Sequence, residues 1–422
     1  MAMLLGCLAD DFTGATDVAN TLAREGLKTI LLNGVPEGPI DLSSAEAVVV
    51  MIKSRSAPVS QAVAESLEVL RYLRRAGAGR FFFKYCSTFD STEAGNIGPV
   101  TDALLEELGS NFTVLCPAFP ATGRTIYQGC LFVNGIPLAE SHMRHHPLTP
   151  MTDSNVLRLM ARQATGEAGL VAYPTVRGGE AAIRSAFRDL QAEGKRYAVA
   201  DALFDRDLLE IGRACGDMAL VTGASGMAMG MAADIRRRHP AADDADATRL
   251  EKAEGLAAVL AGSCSAATLA QVEHMKRRWP ALAVEPVDLA EGKQTTAQAV
   301  GWAKDRLQAG PVLIYSSAPP EVLKRIQEKL GASEAGRVLE SAMAEMAREL
   351  VACGVRRLVV AGGETAGAVV AALGIRALRI GPQIDPGVPW TMSLDDPRVF
   401  LALKSGNFGS VEFFTKAFEV LR

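Results

Sequence analysis

The sequence predicts an α/β protein of two domains, each built on a mainly parallel sheet flanked by helices, with a cleft between the domains. Three observations support this prediction. The chain has 422 residues, more than one hydrophobic core of ordinary size accommodates. Short apolar runs alternate with amphipathic helical patterns from end to end, which is typical of parallel sheets covered on both faces. A polar, Ala-rich and poorly periodic stretch, residues 239–256, interrupts the alternation and is typical of a linker.

The first half of the chain contains eight predicted strands, several of them separated by amphipathic helical patterns. The strands are predicted at residues 4–9, 29–32, 47–52, 80–84, 113–116, 169–172, 197–200 and 219–221. Helices are predicted at residues 14–25, 60–76 and 179–193. Because each helix follows one strand and precedes another, the strands are expected to run parallel.

The same alternation resumes after the polar stretch. Strands are predicted at residues 257–261, 311–316, 357–361, 377–380 and 399–403, and helices at residues 266–278, 295–309, 319–330 and 340–352. We therefore place an N-terminal domain at residues 1–240, a linker at 241–256 and a C-terminal domain at 257–422. Open α/β sheets bind ligands beyond the carboxyl ends of their strands, so functional residues are expected there.

Composition excludes several classes of partner. Apolar residues make up 49% of the chain and charged residues 22%, with a formal net charge of −4 and no block of basic residues. Nothing in this balance favours nucleic acid or an anionic membrane surface, and no stretch approaches the length of a membrane span. Seven dispersed cysteines without a C-x-x-C pair predict reduced thiols. A Leu-Leu-Gly-Cys sequence at residues 4–7 resembles a lipoprotein cleavage box but lacks a basic leader, so we expect a cytoplasmic protein.

Two adjacent carboxylates, Asp10 and Asp11, follow the first predicted strand. Asp11 or Thr13 could cap the next helix, which accounts for one carboxylate but not for two. A second carboxylate at a strand end is suited to accept a proton from a substrate hydroxyl or to bind one. Haloacid-dehalogenase-type phosphatases need carboxylates two residues apart, and position 12 is Phe. Our hypothesis is that Asp10 or Asp11 acts as a general base.

Cationic and hydroxyl side chains follow the next strands. These are Lys53 and Arg55 after the third strand, Lys84, Ser87, Thr88, Asp90 and Ser91 after the fourth, and Arg124 and Thr125 after the fifth. Arginine and lysine at fixed positions are suited to bind a small carboxylate. We expect the N-terminal domain to bind a small hydroxylated acid, with Arg55, Lys84 and Arg124 holding its carboxylate and hydroxyls.

Three of the five histidines, His142, His145 and His146, lie in one short segment. Residues three and four apart share a helix face, as metal ligands often do. However, Pro147 and Pro150 predict a loop, and no cysteine or carboxylate completes a ligand set. No metal site made of protein ligands is predicted.

Three Gly-rich turns follow predicted strands in the second half. Their sequences are "AGSCSAAT", "VVAGGETAG" and "LALKSGNFG". Glycine lets the backbone approach phosphate closely, and helix N-termini present free N–H donors. Neither a P-loop nor a G-x-G-x-x-G after an opening strand is present. Three such turns in one domain nevertheless predict a nucleotide site.

Several motifs together resemble the four-carbon acid sugar kinases over essentially the whole chain. They are "ADDFTGATD", "KYCSTFDST" with the following "GNIGPVTDALL", "LVTGASG", "GGETAG", "IDPGVPW" and "LALKSGNFG". The resemblance implies an N-terminal domain that binds the sugar acid and a C-terminal domain that binds ATP. It also implies transfer of the γ-phosphoryl group to the terminal hydroxyl of 3-dehydro-tetronate. Threonate and erythronate kinases share the Asp-Asp and Gly-Gly-Glu-Thr elements, so the identity of the acid stays open.

The resemblance also implies site residues. It assigns ATP binding to Ser263 or Ser265, and to Gly362, Gly363, Glu364, Thr365 and Gly406. Our hypothesis adds Lys404 beside the triphosphate and Mg²⁺ bridging its oxygens, and it assigns sugar-acid binding to Thr13, Arg55, Lys84, Ser87, Asp90 and Arg124. A non-catalytic sugar-acid sensor is the alternative of a different class, and the nucleotide-type turns count against it. A homo-oligomer formed through the helix at 340–352 is left open.

Overall fold

The structure is a computed structural model that describes residues 3–146, 148–240 and 246–421. Pro147, part of the predicted loop, and residues 241–245, part of the predicted linker, lie outside the described residues. The chain divides into two compact units, Met1–Ala247 and Thr248–Arg422. Each unit is described by itself.

Unit 1 contains eleven strands and eight α-helices within its described residues. The strands are β1 Leu5–Ala9, β2 Thr29–Asn33, β3 Ala47–Met51, β4 Phe81–Lys84, β5 Thr113–Cys116, β6 Arg124–Tyr127, β7 Cys130–Val133, β8 Ile136–Pro137, β9 Ala168–Val171, β10 Tyr197–Ala200 and β11 Leu220–Gly223. The helices are α1 Phe12–Arg24, α2 Val59–Arg75, α3 Ile97–Leu108, α4 Val156–Ala161, α5 Tyr173–Arg177, α6 Glu180–Ala192, α7 Asp205–Ala214 and α8 Ser225–Arg238.

The main sheet of unit 1 has the strand order β2-β3-β1-β4-β11-β5-β10-β9, and every pair within it is parallel. Its strands are mostly apolar because both faces are covered; all five residues of β1 are buried. The strands β3, β1 and β4 lie side by side, so their carboxyl ends meet at one edge. This edge carries the residues predicted for acid binding.

A small antiparallel sheet, β6-β7-β8, follows β5. Arg124 and Thr125, which the sequence places after the fifth strand, lie in β6 and pair with Val133 and Phe132 of β7. The segment is therefore a strand of its own rather than a loop at the end of β5. Alternation in "RTIY" over four residues is too short to distinguish a strand from a loop.

Unit 2 contains seven strands and seven α-helices within its described residues. The strands are β12 Leu256–Ala261, β13 Ala281–Ala283, β14 Val312–Tyr315, β15 Val355–Ala361, β16 Ala377–Asp385, β17 Val388–Ser393 and β18 Phe400–Lys404. The helices are α9 Ala266–Lys276, α10 Pro286–Ala290, α11 Thr296–Lys304, α12 Pro320–Leu330, α13 Ala332–Ala352, α14 Gly363–Ala372 and α15 Phe413–Val420.

The sheet of unit 2 has the order β13-β14-β12-β15-β18-β17-β16. It is parallel except for β17, which is antiparallel to both of its neighbours. Trp390 of β17 is fully buried, and its indole N–H donates to the carbonyl of Ala417 in α15 (2.8 Å). The predicted class, α/β with mainly parallel sheets flanked by helices, is confirmed for both units.

The long helix α13 begins at residue 332, eight residues before the predicted start. Its apolar side chains Met343, Met346 and Leu350 are fully buried inside unit 2, so its apolar face is already covered within the chain. This packing gives no support to a homo-oligomer formed through the helix. Among the helices of the described residues, none is long and apolar enough to cross a membrane.

Candidate active site

Asp10 and Asp11 lie at the carboxyl end of β1. Asp10 is 5% exposed, and its backbone N–H donates to the carbonyl of Lys84 at the end of β4 (3.2 Å). Asp11 is the N-cap of α1, because its Oδ1 accepts the backbone N–H of Gly14 (2.9 Å). The capping interpretation of the sequence therefore applies to Asp11, and Asp10 needs a different explanation.

Arg55, from the turn after β3, pairs with both carboxylates. Its Nε and Nη2 donate to the two oxygens of Asp10 (2.9 and 2.8 Å), and Nη2 is also 2.8 Å from Oδ1 of Asp11. Bidentate guanidinium–carboxylate pairs are strong and directional. The two adjacent acids tolerate each other because they share one cation. Nη1 of Arg55 takes part in neither of these contacts and lies 3.8 Å from Asp90 Oδ2.

Asp11 differs electrostatically from its neighbour. Burial, and next the charge of Asp10, raise the pKa of the Asp11 carboxyl, although Arg55 and Lys84 oppose the shift. Its Oδ1 caps α1 and pairs with Arg55, and within the described part of the chain its Oδ2 accepts no hydrogen bond. A carboxylate with a raised pKa and a free oxygen is the better proton acceptor of the two.

Lys84 is nearly fully buried at the end of β4, and its Nζ donates to the carbonyl of Tyr85 (2.8 Å). A Cβ atom on Gly14 would lie 2.9 Å from this Nζ, so the glycine lets the ammonium approach the first turn of α1. Asp17, one turn further along α1, accepts a hydrogen bond from Ser225 Oγ (2.5 Å). Burial raises the pKa of Asp17, against the opposing charge of Lys84.

Sequence analysis did not assign Asp17 or Ser225 to the site. Both lie in motifs that carried the family resemblance, "ADDFTGATD" and "LVTGASG". Asn96, in a third such motif, is also unassigned; its amide donates to the carbonyls of Ser54 and Ala57 (2.6 and 2.9 Å). Asn96 thereby fixes the turn that carries Arg55.

The turn after β4 contains a short chain of hydrogen bonds. Thr88 Oγ1 donates to Asp90 Oδ1 (2.5 Å) and lies 3.0 Å from Cys86 Sγ. Ser87 is half-buried beside them. These contacts hold Asp90 near Arg55, and its role in acid binding stays a prediction.

Other predicted residues lie outside this cluster. Thr13 is exposed in the first turn of α1. Arg124 donates from Nη1 to the carbonyl of Thr122; among the described residues it makes no hydrogen bond or ion pair with Asp10, Arg55 or Lys84. Its Nε is buried without a partner. A role of Arg124 in acid binding stays a prediction.

The predicted histidine loop contains a short 3-10 helix, His142–His145. His146 Nδ1 accepts the backbone N–H of Thr149 (3.1 Å). Among the residues that the structure describes, no group of three His, Cys, Asp or Glu side chains could hold a metal ion.

The three Gly-rich turns of unit 2 pack against one another. The backbone N–H of Gly362 donates to the carbonyl of Lys404 (2.9 Å), and that of Gly262 to the carbonyl of Ala361 (2.9 Å). A Cβ atom on Gly262 would overlap Thr365 Oγ1, and one on Gly406 would overlap Ser263 Oγ. Glycine at these two positions therefore leaves room for the hydroxyls of Thr365 and Ser263, which a larger residue would force to move.

A cavity of about 330 Å³ opens beside two of these turns. One part of its lining is small and polar and comes from the turns after β12, β14 and β15: Gly262, Ser263, Cys264, Ser316, Gly362, Gly363, Glu364 and Thr365. The other part is largely apolar: Pro286, Leu323, Ile326, Gln327, Ala335, Gly336, Leu339 and Glu340. A mostly apolar wall facing a glycine-rich wall suits a nucleotide, with its base on one side and its phosphates on the other.

Lys404 lies beneath the turn after β18. It is 1% exposed, and its Nζ donates to Thr268 Oγ1 and to the carbonyl of Gly406 (both 2.9 Å). Ser265 Oγ donates to the same carbonyl (2.6 Å). Within the described chain no carboxylate pairs with Lys404, and burial lowers its pKa to about 8. Thr268, which sequence analysis missed, completes this arrangement.

These observations define a class: an α/β protein with a site for a small hydroxylated acid in its first unit and a nucleotide-type cavity in its second. Comparison with known proteins agrees with both halves. The sugar-binding N-terminal domain family matches residues 5–231, and the nucleotide-binding C-terminal domain family matches residues 258–414. The chain belongs to the four-carbon acid sugar kinase family, as its motifs indicated.

Individual relatives are similar over nearly their whole length. A 3-oxo-tetronate kinase of Burkholderia multivorans is 50% identical, covering 99% of this chain and 97% of the relative. One of Pseudomonas fluorescens is 51% identical, covering 98% and 96%. The crystal structure of a Haemophilus influenzae protein superimposes with a TM-score of 0.90 at 42% identity, covering 99% of this chain and all of the other.

Proposed function

We propose that the protein is an ATP-dependent kinase that phosphorylates the terminal (4-) hydroxyl of 3-oxo-tetronate. The observation that carries the proposal is the identity of about half of all residues, over nearly the full length, with proteins named 3-oxo-tetronate kinase. The two sites described above supply what such a reaction requires. The protein acts in the cytoplasm, with residues 1–240 binding the acid, 241–256 as linker and 257–422 binding ATP.

In the acid site, Asp11 accepts the proton of the substrate hydroxyl as that oxygen attacks phosphorus. Asp10 does not serve as base, because Arg55 engages both of its oxygens. Arg55 Nη1 and Lys84 supply positive charge for the substrate carboxylate, and Ser87, Asp90 and Thr13 are available for its hydroxyls. Arg124 of β6 is the further cation that we assign to the acid, although its Nη1 donates to the carbonyl of Thr122.

In the nucleotide site, the turns at Ser263–Ser265, Gly362–Thr365 and Lys404–Gly406 hold the triphosphate. The N-terminus of α14 presents unpaired N–H groups to its oxygens, and Gly363 leaves open space above them, since a Cβ there would meet nothing within 4 Å. Buried Lys404 adds positive charge from below. Phosphoryl transfer depends on this positioning and charge neutralisation more than on covalent chemistry.

The donor set also fits Mg²⁺ bound mainly through phosphate oxygens. Mg²⁺ in nucleotide sites keeps several waters and takes only one or two carboxylates from the protein. Glu364, exposed in the first turn of α14 and part of the cavity lining, is the carboxylate that would hold it. When bound, the ion neutralises charge on the transferred phosphoryl group.

The test is a coupled ADP-release assay with 3-oxo-tetronate, D-threonate and D-erythronate as acceptors. We expect ATP-dependent turnover with 3-oxo-tetronate, and a product phosphorylated on the 4-hydroxyl by phosphorus-coupled NMR. Turnover with threonate or erythronate alone would replace the proposed acid but keep the kinase. ATP binding without turnover of any of the three acids would contradict the proposal.

A further inference from the structure

Among the described residues that line the nucleotide cavity, Ser316 has a buried hydroxyl without a hydrogen-bond partner. Ser316 follows β14, is 7% exposed and lines the cavity. Its Oγ is buried without a hydrogen-bond partner, whereas its backbone N–H donates to the carbonyl of Ala261 (2.8 Å). Buried polar atoms are nearly always paired, so an unpaired hydroxyl on a residue that lines a cavity points to a ligand group.

Ser316 stands where the two walls of the cavity join. On one side its carbonyl accepts the thiol of Cys264 (3.9 Å), and that thiol accepts the N–H of Ala318 (3.4 Å), which ties the segment to the turn after β12. On the other side the chain continues into α12, whose Leu323 and Ile326 form part of the apolar wall. Ser316 thus lies between the glycine-rich wall and the apolar wall.

A nucleotide with its phosphates on the first wall and its base on the second has its ribose at this junction. We infer that Ser316 Oγ hydrogen-bonds a ribose hydroxyl of ATP and makes the site selective for ribonucleotides. The inference rests on the proposed function, because it takes ATP as the occupant of the cavity. It deepens that proposal by assigning the sugar of the nucleotide to a residue outside the Gly-rich turns.

The neighbouring Ser317 provides a matched control. It is 9% exposed, its Oγ donates to the carbonyl of Ala261 (3.5 Å), and it is not part of the cavity lining. Ser316→Ala and Ser317→Ala therefore remove the same atom from adjacent positions, one in a residue that lines the cavity and one in a residue that does not.

The experiment measures calorimetric affinities of the full chain for ATP, 2′-deoxy-ATP and 3′-deoxy-ATP at fixed Mg²⁺. We expect the unsubstituted protein to bind one deoxynucleotide about 5–10-fold more weakly than ATP, as one hydrogen bond implies. Ser316→Ala should weaken ATP binding by the same factor and bind all three nucleotides alike. Ser317→Ala should keep the full discrimination.

Equal affinity of the unsubstituted protein for the three nucleotides would overturn the inference without use of any variant. Discrimination that persists in Ser316→Ala would overturn it too. Either result leaves the kinase proposal intact, since ATP is still bound. Failure of the unsubstituted protein to bind any of the three would instead contradict the nucleotide site itself, and the inference with it.

Discussion

Lys404→Met is the strongest test of the nucleotide site. Because Lys404 is buried, the substitution should raise the free energy of unfolding but weaken ATP binding. Burial lowers the pKa from an ordinary 10.5 to about 8, a difference worth about 3 kcal/mol. Below pH 8 the buried ammonium is charged and destabilises the folded protein by this full amount. Lys404→Met removes that destabilisation but also removes the two hydrogen bonds to Thr268 and Gly406, worth about 1 kcal/mol each. We expect a net gain of about 1 kcal/mol in unfolding free energy at pH 7.

ATP binding should change in the other direction. For a phosphate charge taken at about 5 Å from the ammonium, the attraction is worth about 3 kcal/mol at an effective dielectric constant of about 20. Lys404→Met should therefore bind ATP about 100-fold more weakly at pH 7. In the unsubstituted protein the dissociation constant for ATP should be flat well below pH 8, begin to rise near pH 8 and then rise up to tenfold per pH unit as Lys404 loses its proton.

The sign of the pH effect on stability follows from the same pKa. Because the folded-state pKa lies below the unfolded value, the unfolded chain binds more protons between about pH 8 and 10.5. The contribution of Lys404 to stability therefore improves as pH rises through this window, and the variant lacks that improvement. Chemical denaturation and calorimetry at pH 7.5–9.5 measure both effects.

Lys304→Met is the matched control, since it removes the same charge from an exposed position at the end of α11, outside the cavity lining. It should leave ATP affinity and its pH dependence unchanged. The reasoning is refuted if Lys404→Met binds ATP as tightly as the unsubstituted protein. A rise in the dissociation constant above pH 8 that survives in Lys404→Met would refute it equally.

Three further predictions concern the two sites. Asp11→Asn keeps a helix cap but should lower kcat by about 10²–10⁴-fold with ATP affinity unchanged. In the unsubstituted enzyme, kcat/KM for the acid should fall with decreasing pH through a pKa above the ordinary 3.8, since burial raises the pKa of Asp11. Near-normal turnover would remove Asp11 as base. A Cβ atom at Gly363 meets no atom within 4 Å, so Gly363→Val should fold, but its side chain should crowd the phosphates and weaken ATP binding by about 1–3 kcal/mol. Acid binding should survive, and Gly367→Val, one turn further and equally open at Cβ, should bind ATP normally. Asn96→Ala should cost about 1–3 kcal/mol of stability and raise KM for the acid but not for ATP. An unchanged KM for the acid would show that the turn carrying Arg55 keeps its conformation without the Asn96 hydrogen bonds.

The strands show which parts of the fold could be predicted from the sequence. β5 and β10 begin and end at the predicted residues, because continuous apolar runs bounded by polar turns are local signals. β17 was not predicted, and Pro389 lies inside it. Proline argues against a strand in the sheet interior, and here pairing with β16 and β18 on either side outweighs that preference.

The sequence by itself determined the fold class, the order of strand ends and the residue types at them, since periodicity, capping and glycine turns are properties of neighbouring residues. Only the tertiary structure decided how those residues are used. Arg55 meets Asp10 across 45 positions of sequence and binds the paired acids rather than standing free. Packing removes water from the Lys404 ammonium and thereby lowers its pKa to about 8. Packing also buries Ser316 Oγ, which has no hydrogen-bond partner among the described residues. Desolvation and long-range pairing depend on which strands become neighbours, and no local pattern contains that information.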